Sequence, residues 1–253
     1  MASKFEMSDL GKLTYYLGIE ILEESGMSEC NPTQAPMAFN VKVSKVIEEK
    51  NINKKEYRKN IGCQRYLLHT RPDLHFSVGA LSRYMHEPKK SHGAAFKQIL
   101  TYLRGTVSLG VRFTRSNEVK LIGYSDSSHN VDSDDGKSTT GHVFYLNEGP
   151  VTWCSQKQEI VALSSCESEF MAATEAAKQA IWLQELLGEI IGKPCKKVTI
   201  LVDNKSAIAL TKNPVFHGRS KHIHKRFHFI RESVENEQVE VEHVPGNEQE
   251  PTY

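Results

Sequence analysis

Residues 116–253 are expected to form an α/β domain around a mixed five-stranded sheet, three strands antiparallel and two added in parallel, with helices on its faces. Residues 1–115 read as a smaller, mainly helical segment ahead of it. Three observations predict this. The chain changes near residue 118 from helically spaced apolar residues to short, β-prone runs. One long helical pattern then divides three such runs from a fourth. The resulting order, three strands, a helix, a strand, two helices and a strand, leaves few topologies once parallel crossovers are right-handed.

In the first segment, residues 9–22 (DLGKLTYYLGIEIL) read as extended and half-buried, and residues 24–36, with Ser, Gly, Asn and two prolines, as a loop. Three helices follow. Tyr57, Ile61 and Leu68 mark the first. Pro72, suited to a first helical turn, opens the second, with Leu74, Val78, Leu81 and Met85 on one face. Ser91 caps the third, in which Phe96, Ile99 and Leu103 recur before Gly105 ends it. No titratable cluster stands out here, so the segment reads as a packing or tethering module.

The second segment opens with VKLIGYSD (119–126), TTGHVFYL (139–146) and VTWC (151–154), short strands between turn-rich loops. Ser164 and Glu167 have capping-box spacing, and the helix they open runs to about Leu187. Then come the strand KVTILVD (197–203), a short helix over 204–212, a basic helix over about 219–235 and the strand VEVEHV (239–244).

Bulk composition excludes several classes. The 253 residues are 39% hydrophobic and 25% charged, ordinary for a folded chain. A net charge of +1 means that nucleic-acid affinity must come from local clusters. Five widely spaced cysteines without a C-x-x-C pair suit free thiols in a reducing compartment. Charges among the first residues rule out a secretory h-region, and no run of 18 apolar residues occurs. The chain is therefore expected to be intracellular, in cytoplasm or nucleus, with no membrane partner.

Three acids stand where phosphoryl hydrolysis would need them. Hard Mg²⁺ prefers oxygen ligands, and two ions about 4 Å apart repel unless anionic groups lie among them. Asp126 ends the first strand and Asp203 the fourth, at the carboxyl ends that α/β sheets favour for sites. Glu169 is the diagnostic one. On a helix it shares a face with Ala172, Ala173, Ala176, Ala180, Leu183 and Leu187, the face that packs on the sheet, where a carboxylate is costly to bury alone. Glu167 and Glu175 point elsewhere and are expected to be solvated. Blander roles remain open for each acid taken singly: an Asp at a strand end is commonly a turn former, Asp203 could cap the next helix, and Glu169 could pair with a lysine.

Two lookalikes fail. The loop VDSDDG (131–136) resembles a calcium loop, but aligning Gly136 with the required glycine puts Val131 and His142 in ligand positions. The C-terminal histidines, including His224 and His228 at helical spacing, lack the H-E-x-x-H or cysteine context of zinc sites. Residues 217–231 (HGRSKHIHKRFHFIR) are another matter, with five Lys/Arg, no acid and a buried edge of Ile223, Phe227 and Ile230. Arg219, Lys221, Lys225 and Arg226 are the candidate phosphate contacts, a solvated helix face being the alternative.

The motifs GYSD (123–126), KSTTGHVFYL (137–146), VTWCSQKQ (151–158), ALSSCESEFMAATEAAKQAIWL (162–183), DNKSAIALTKNPVFHGRSKHIH (203–224) and HFIRE (228–232) resemble the RNase H segment of copia-type retrotransposon Pol polyproteins, especially those of plants. SDLGKLTYYLGIEI (8–21) resembles the stretch after the reverse-transcriptase palm, and YRKNIGCQRYLLHTRPDLHFSVGALSRYM (57–85) the tether before RNase H. The resemblance implies an RNase H-like fold. It also implies Asp126, Glu169 and Asp203 as catalytic metal ligands, two Mg²⁺ ions with Mn²⁺ able to replace them, and endonucleolytic cutting of RNA in RNA–DNA hybrids. The rest of a Pol polyprotein is an implied partner. Polymerase activity is not implied, because the polymerase's paired aspartates are absent from these residues.

Departures from the family pattern point to a second outcome, a catalytically inactive remnant that binds hybrid or another nucleic-acid duplex. Ser127, Ser128 and His129 follow Asp126 in place of the usual Ala-Asp-Trp. His224 stands where an Asp is more usual. Thr252 falls roughly where a fourth acid belongs, and Glu248 and Glu250 would need a shifted loop to substitute.

Overall fold

A computed structural model of the chain describes residues 21–23, 25–38, 41, 43–46, 48–116, 118–212 and 224–246. These divide into two units. One comprises the described residues up to Val111 together with Asp132–Asp135, the other Arg112–Val131 and 136–246.

The first unit is helical: α1 (Lys54–Leu67), a 3₁₀ turn (Pro72–Leu74), α2 (His75–Ser82) and α3 (Lys90–Gly105). Asn53 caps α1 by accepting from the Lys55 and Glu56 N–H groups. Of the apolar positions marked by spacing, Tyr57, Ile61, Leu74, Val78, Leu81, Phe96, Ile99 and Leu103 form its buried core, and Leu68 and Met85 pack partly buried against it. Two details differ from expectation. Among 9–22, the described residues Ile21 and Leu22 are helical rather than extended, and both are buried. Ser91 lies inside the first turn of α3, not at its cap. His92 Nδ1 takes the Lys89 N–H at 3.0 Å, and the Ser91 N–H goes to Glu49 at 2.7 Å.

The second unit holds β1 (Leu121–Ser128), β2 (Thr139–Leu146), β3 (Gly149–Lys157), α4 (Ser165–Ile191), β4 (Val198–Val202), α5 (Lys205–Lys212), α6 (His224–Glu235) and β5 (Val239–His243). The sheet order is β3-β2-β1-β4-β5, with β1, β2 and β3 antiparallel and β4 and β5 added in parallel, the mixed sheet expected. Phe144, Phe170, Met171, Ile200, Val202, Ile230 and Val241 build the core between sheet and helices. Gly123 is required there, because a Cβ at that position would meet the Phe144 ring at 2.3 Å.

Helix α4 starts as its sequence specifies: Ser164 Oγ accepts from Glu167 N–H at 3.2 Å. Glu167 reaches back to the Leu163 N–H at 3.2 Å, which buries it, so it is not the solvated residue expected from its helical position. The helix runs one turn past Leu187, and Gly192 stops it in the left-handed conformation (φ 74°).

Candidate metal centre

Topology brings the three acids together. In the parallel pair β1/β4, Ser125 is level with Val202, so Asp126 and Asp203 come next in register at the carboxyl ends of adjacent strands. Helix α4 lies across this sheet on its stripe of small residues. Ala172, Ala173, Ala176 and Ala180 are all buried, and this close approach carries Glu169 to the same end. One carboxylate oxygen from each of Asp126, Glu169 and Asp203 lies within 4.8 Å of the others.

The capping role of Asp203 and the lysine pair of Glu169 can both be checked against contacts. Asn204, not Asp203, caps α5: its Oδ1 accepts from Ala207 N–H at 3.0 Å, which leaves Asp203 available. No ion pair joins Glu169 to a lysine or arginine among the described residues. Glu169 is 6% exposed, its Oε1 accepts from the Ser127 N–H at 3.1 Å, and its Oε2 is buried without a hydrogen-bond partner. Desolvation first, then the charges of Asp126 and Asp203, push its pKa up to about 8, against a smaller lowering by the Ser127 N–H. A buried acceptor facing two further carboxylates calls for a positive charge that no side chain among the described residues supplies. Hard oxygen donors in this arrangement fit a divalent cation such as Mg²⁺.

Two supporting residues escaped the sequence reading. Ser127 is one. Gln158 is the other: buried just after β3, it donates through Nε2 to Thr140 Oγ1 and to the Ser168 carbonyl, each at 3.0 Å. Since that carbonyl only accepts, the amide orientation is fixed, and the start of α4 is tied to β2 one residue before Glu169. Neither residue carries a motif of its own. Only the departure from the family pattern after Asp126 marked Ser127.

The basic helix is partly visible. Arg219 and Lys221 lie outside the described residues, as does the side chain of Lys225. Arg226 is ion-paired with Glu159 at 3.3 Å and with Glu175 at 3.7 Å, on a groove of about 370 Å³ whose other walls include Gln158 and Lys178. Past β5, a Cβ on Gly246 would stand 3.6 Å from Asp203 Oδ2, so the chain returns to the cluster here. Glu248, Glu250 and Thr252 lie outside the described residues.

No family model matches the chain. It is 37% identical, over 98% of its length, to the retrovirus-related Pol polyprotein from transposon TNT 1-94 of Nicotiana tabacum, of which it covers 21%. It is 35% identical, again over 98%, to that from transposon RE1 of Arabidopsis thaliana, of which it covers 18%. Among solved structures, the foamy viral protease-reverse transcriptase in complex with dsDNA matches 96% of the chain with 45% of its own, at a TM-score of 0.50 and 13% identity.

Proposed function

The chain belongs to the copia-type retrotransposon Pol polyproteins, of whose length it spans about a fifth, and from that premise we propose that it carries a metal-dependent nuclease centre that cuts RNA in RNA–DNA hybrids. The sheet unit is an RNase H-type domain with an RNase H-like fold. In this reading it extends over residues 116–253, and residues 1–115 are the end of a reverse transcriptase and its tether.

One observation carries the reading: three carboxylates from β1, α4 and the end of β4 converge within 4.8 Å, with the buried one lacking a partner for Oε2. Asp126, Glu169 and Asp203 would hold two Mg²⁺ ions, with Mn²⁺ able to replace them. Once bound, the ions supply charge neutralisation and a water made acidic enough to attack phosphorus. The chain's own work is positioning. Asp126 and Asp203 are fixed by adjacent strands of one sheet, and Glu169 by a helix tied down through Gln158. As a ligand Glu169 would be ionised, because a carboxylate binds metal in that form. Hybrid shape would be read through sugar hydroxyls and phosphates rather than bases.

The test is incubation of the purified chain with a labelled RNA–DNA hybrid and Mg²⁺. Release of short RNA, absent with Asp126→Asn and with EDTA, is the expected result. Wild-type cleavage no greater than that of the Asp126→Asn chain refutes the nuclease reading. A specific observation favours a second one: Thr252 stands where the family pattern has a fourth acid. A chain that binds hybrid in a salt-dependent way and releases no RNA would then be a binding remnant.

A further inference from the structure

We infer that Ser127 is a positioning residue of the metal centre, in which its backbone N–H and its hydroxyl together hold Glu169 Oε1 so that Oε2 is presented to the ion. The inference rests on the metal-site reading above and deepens it.

Geometry carries the argument. The Ser127 N–H already donates to Glu169 Oε1 at 3.1 Å. Period-two alternation puts Ser127 on the same face of β1 as Leu121, which packs against the core that includes α4. The hydroxyl therefore faces the helix that carries Glu169. Ser127 Oγ is buried and makes no formed hydrogen bond, and Glu169 Oε2 is in the same condition. Two orphaned polar atoms, one on each residue, flank an existing bond between those residues. Each orphan is costly to bury unsatisfied, and an ion at Oε2 would satisfy one while leaving Oε1 free to take the other. With Oε2 drawn to an ion, Oε1 keeps negative charge, and a small rotation of the serine side chain adds a second, charge-assisted donor to it. A single N–H lets a carboxylate pivot about the bonded oxygen, whereas two donors from one residue stop that pivot. Asp126 and Asp203 can only accept once ionised, so neither can do this. An alanine following Asp126 would provide the N–H and not the hydroxyl.

The experiment compares Mn²⁺ binding by the full chain and its variants, by electron paramagnetic resonance and calorimetry without nucleic acid. Ser127→Ala is expected to bind Mn²⁺ about tenfold more weakly, in the range that supporting partners of metal ligands contribute. Its metal-free unfolding temperature should not fall, since the hydroxyl removed is buried without a partner, so that a purely structural loss is distinguished. Ser127→Thr and Ser127→Val, equal in shape and different in the hydroxyl, repeat the test should alanine disturb β1. Thr is expected to retain wild-type affinity and Val to lose it. Wild-type affinity in Ala, or equal affinity in Thr and Val, overturns the role of Ser127 and leaves the metal site standing. A wild-type chain that binds no Mn²⁺ overturns both.

Discussion

Two groups of acids lie close together in sequence and have opposite electrostatic surroundings. In the loop after β1, Asp132 pairs with Arg83 at 3.2 Å, and Asp134 accepts from the Ser44 hydroxyl and from the Lys45 N–H at 3.0 Å. Asp134 N–H in turn donates to Asp132 Oδ1 at 3.0 Å. Every one of these contacts brings a donor. At the other cluster one carboxylate oxygen from each of Asp126, Glu169 and Asp203 lies within 4.8 Å of the others, and Glu169 accepts from the Ser127 N–H. Counting acids would rank the loop VDSDDG first. Asking where a compensating charge comes from reverses the order: Arg83 pairs with the loop through Asp132, whereas no lysine or arginine among the described residues pairs with Glu169.

The sharpest way to break that contrast is Glu169→Gln. Removing a ligand should cost at least about a hundredfold in hybrid cleavage, beyond the roughly ten- to hundredfold typical of losing a supporting partner. In the absence of metal the same change should stabilise the fold at high pH. The Glu169 pKa, raised from 4.5 to about 8, means that the folded state keeps a proton the unfolded state has lost. The acid's contribution to stability is therefore greatest at low pH and falls as pH rises from about 4.5 through 8. Glutamine has no such slope. Urea midpoints of both chains at pH 5 and pH 8 with EDTA check this: a wild-type midpoint that falls no more than that of the variant would show the triad to be compensated already.

Arg83→Met attacks the other side. It removes the Arg83 partner of Asp132, whose side chain is 2% exposed. Breaking a buried pair from one side costs about 3–5 kcal/mol. Since the Arg83 side chain is itself 19% exposed, and Asp132 keeps the Asp134 N–H, the lower end, about 3 kcal/mol, is expected from denaturant unfolding. Mg²⁺ should restore none of it. Recovery with Mg²⁺ would mean that the loop acids also take an ion.

How much of this was legible beforehand follows the same physics. The strand TTGHVFYL (139–146) was readable to the residue, because it is bounded by turns and paired on both sides. The inward face of α4 was readable from the alanine spacing, and with it the one acid that needed explaining. Glu167 was misjudged, since helical position gives the direction of a side chain but not the local N–H it turns back to cap. Ser91 was misjudged for a similar reason: residue type nominated it as a cap, while His92 Nδ1 won the Lys89 N–H. Gln158 closes the motif VTWCSQKQ, but its role was not legible, because its partners, Thr140 and the Ser168 carbonyl, come together only in the fold.

Arg226 tests the comparison at its weakest point. Its sequence context nominated it as a phosphate contact, yet Glu159 and Glu175 already hold it. Glu159 is 81% exposed, so that pair is well screened and contributes on the order of 1 kcal/mol or less. Arg226→Ala should therefore change stability little. If phosphate can displace so exposed a carboxylate, the logarithmic salt dependence of hybrid binding should fall by somewhat less than one unit. An unchanged salt slope would mean that Arg226 stays with its acids, leaving the cationic surface to residues before it in the chain.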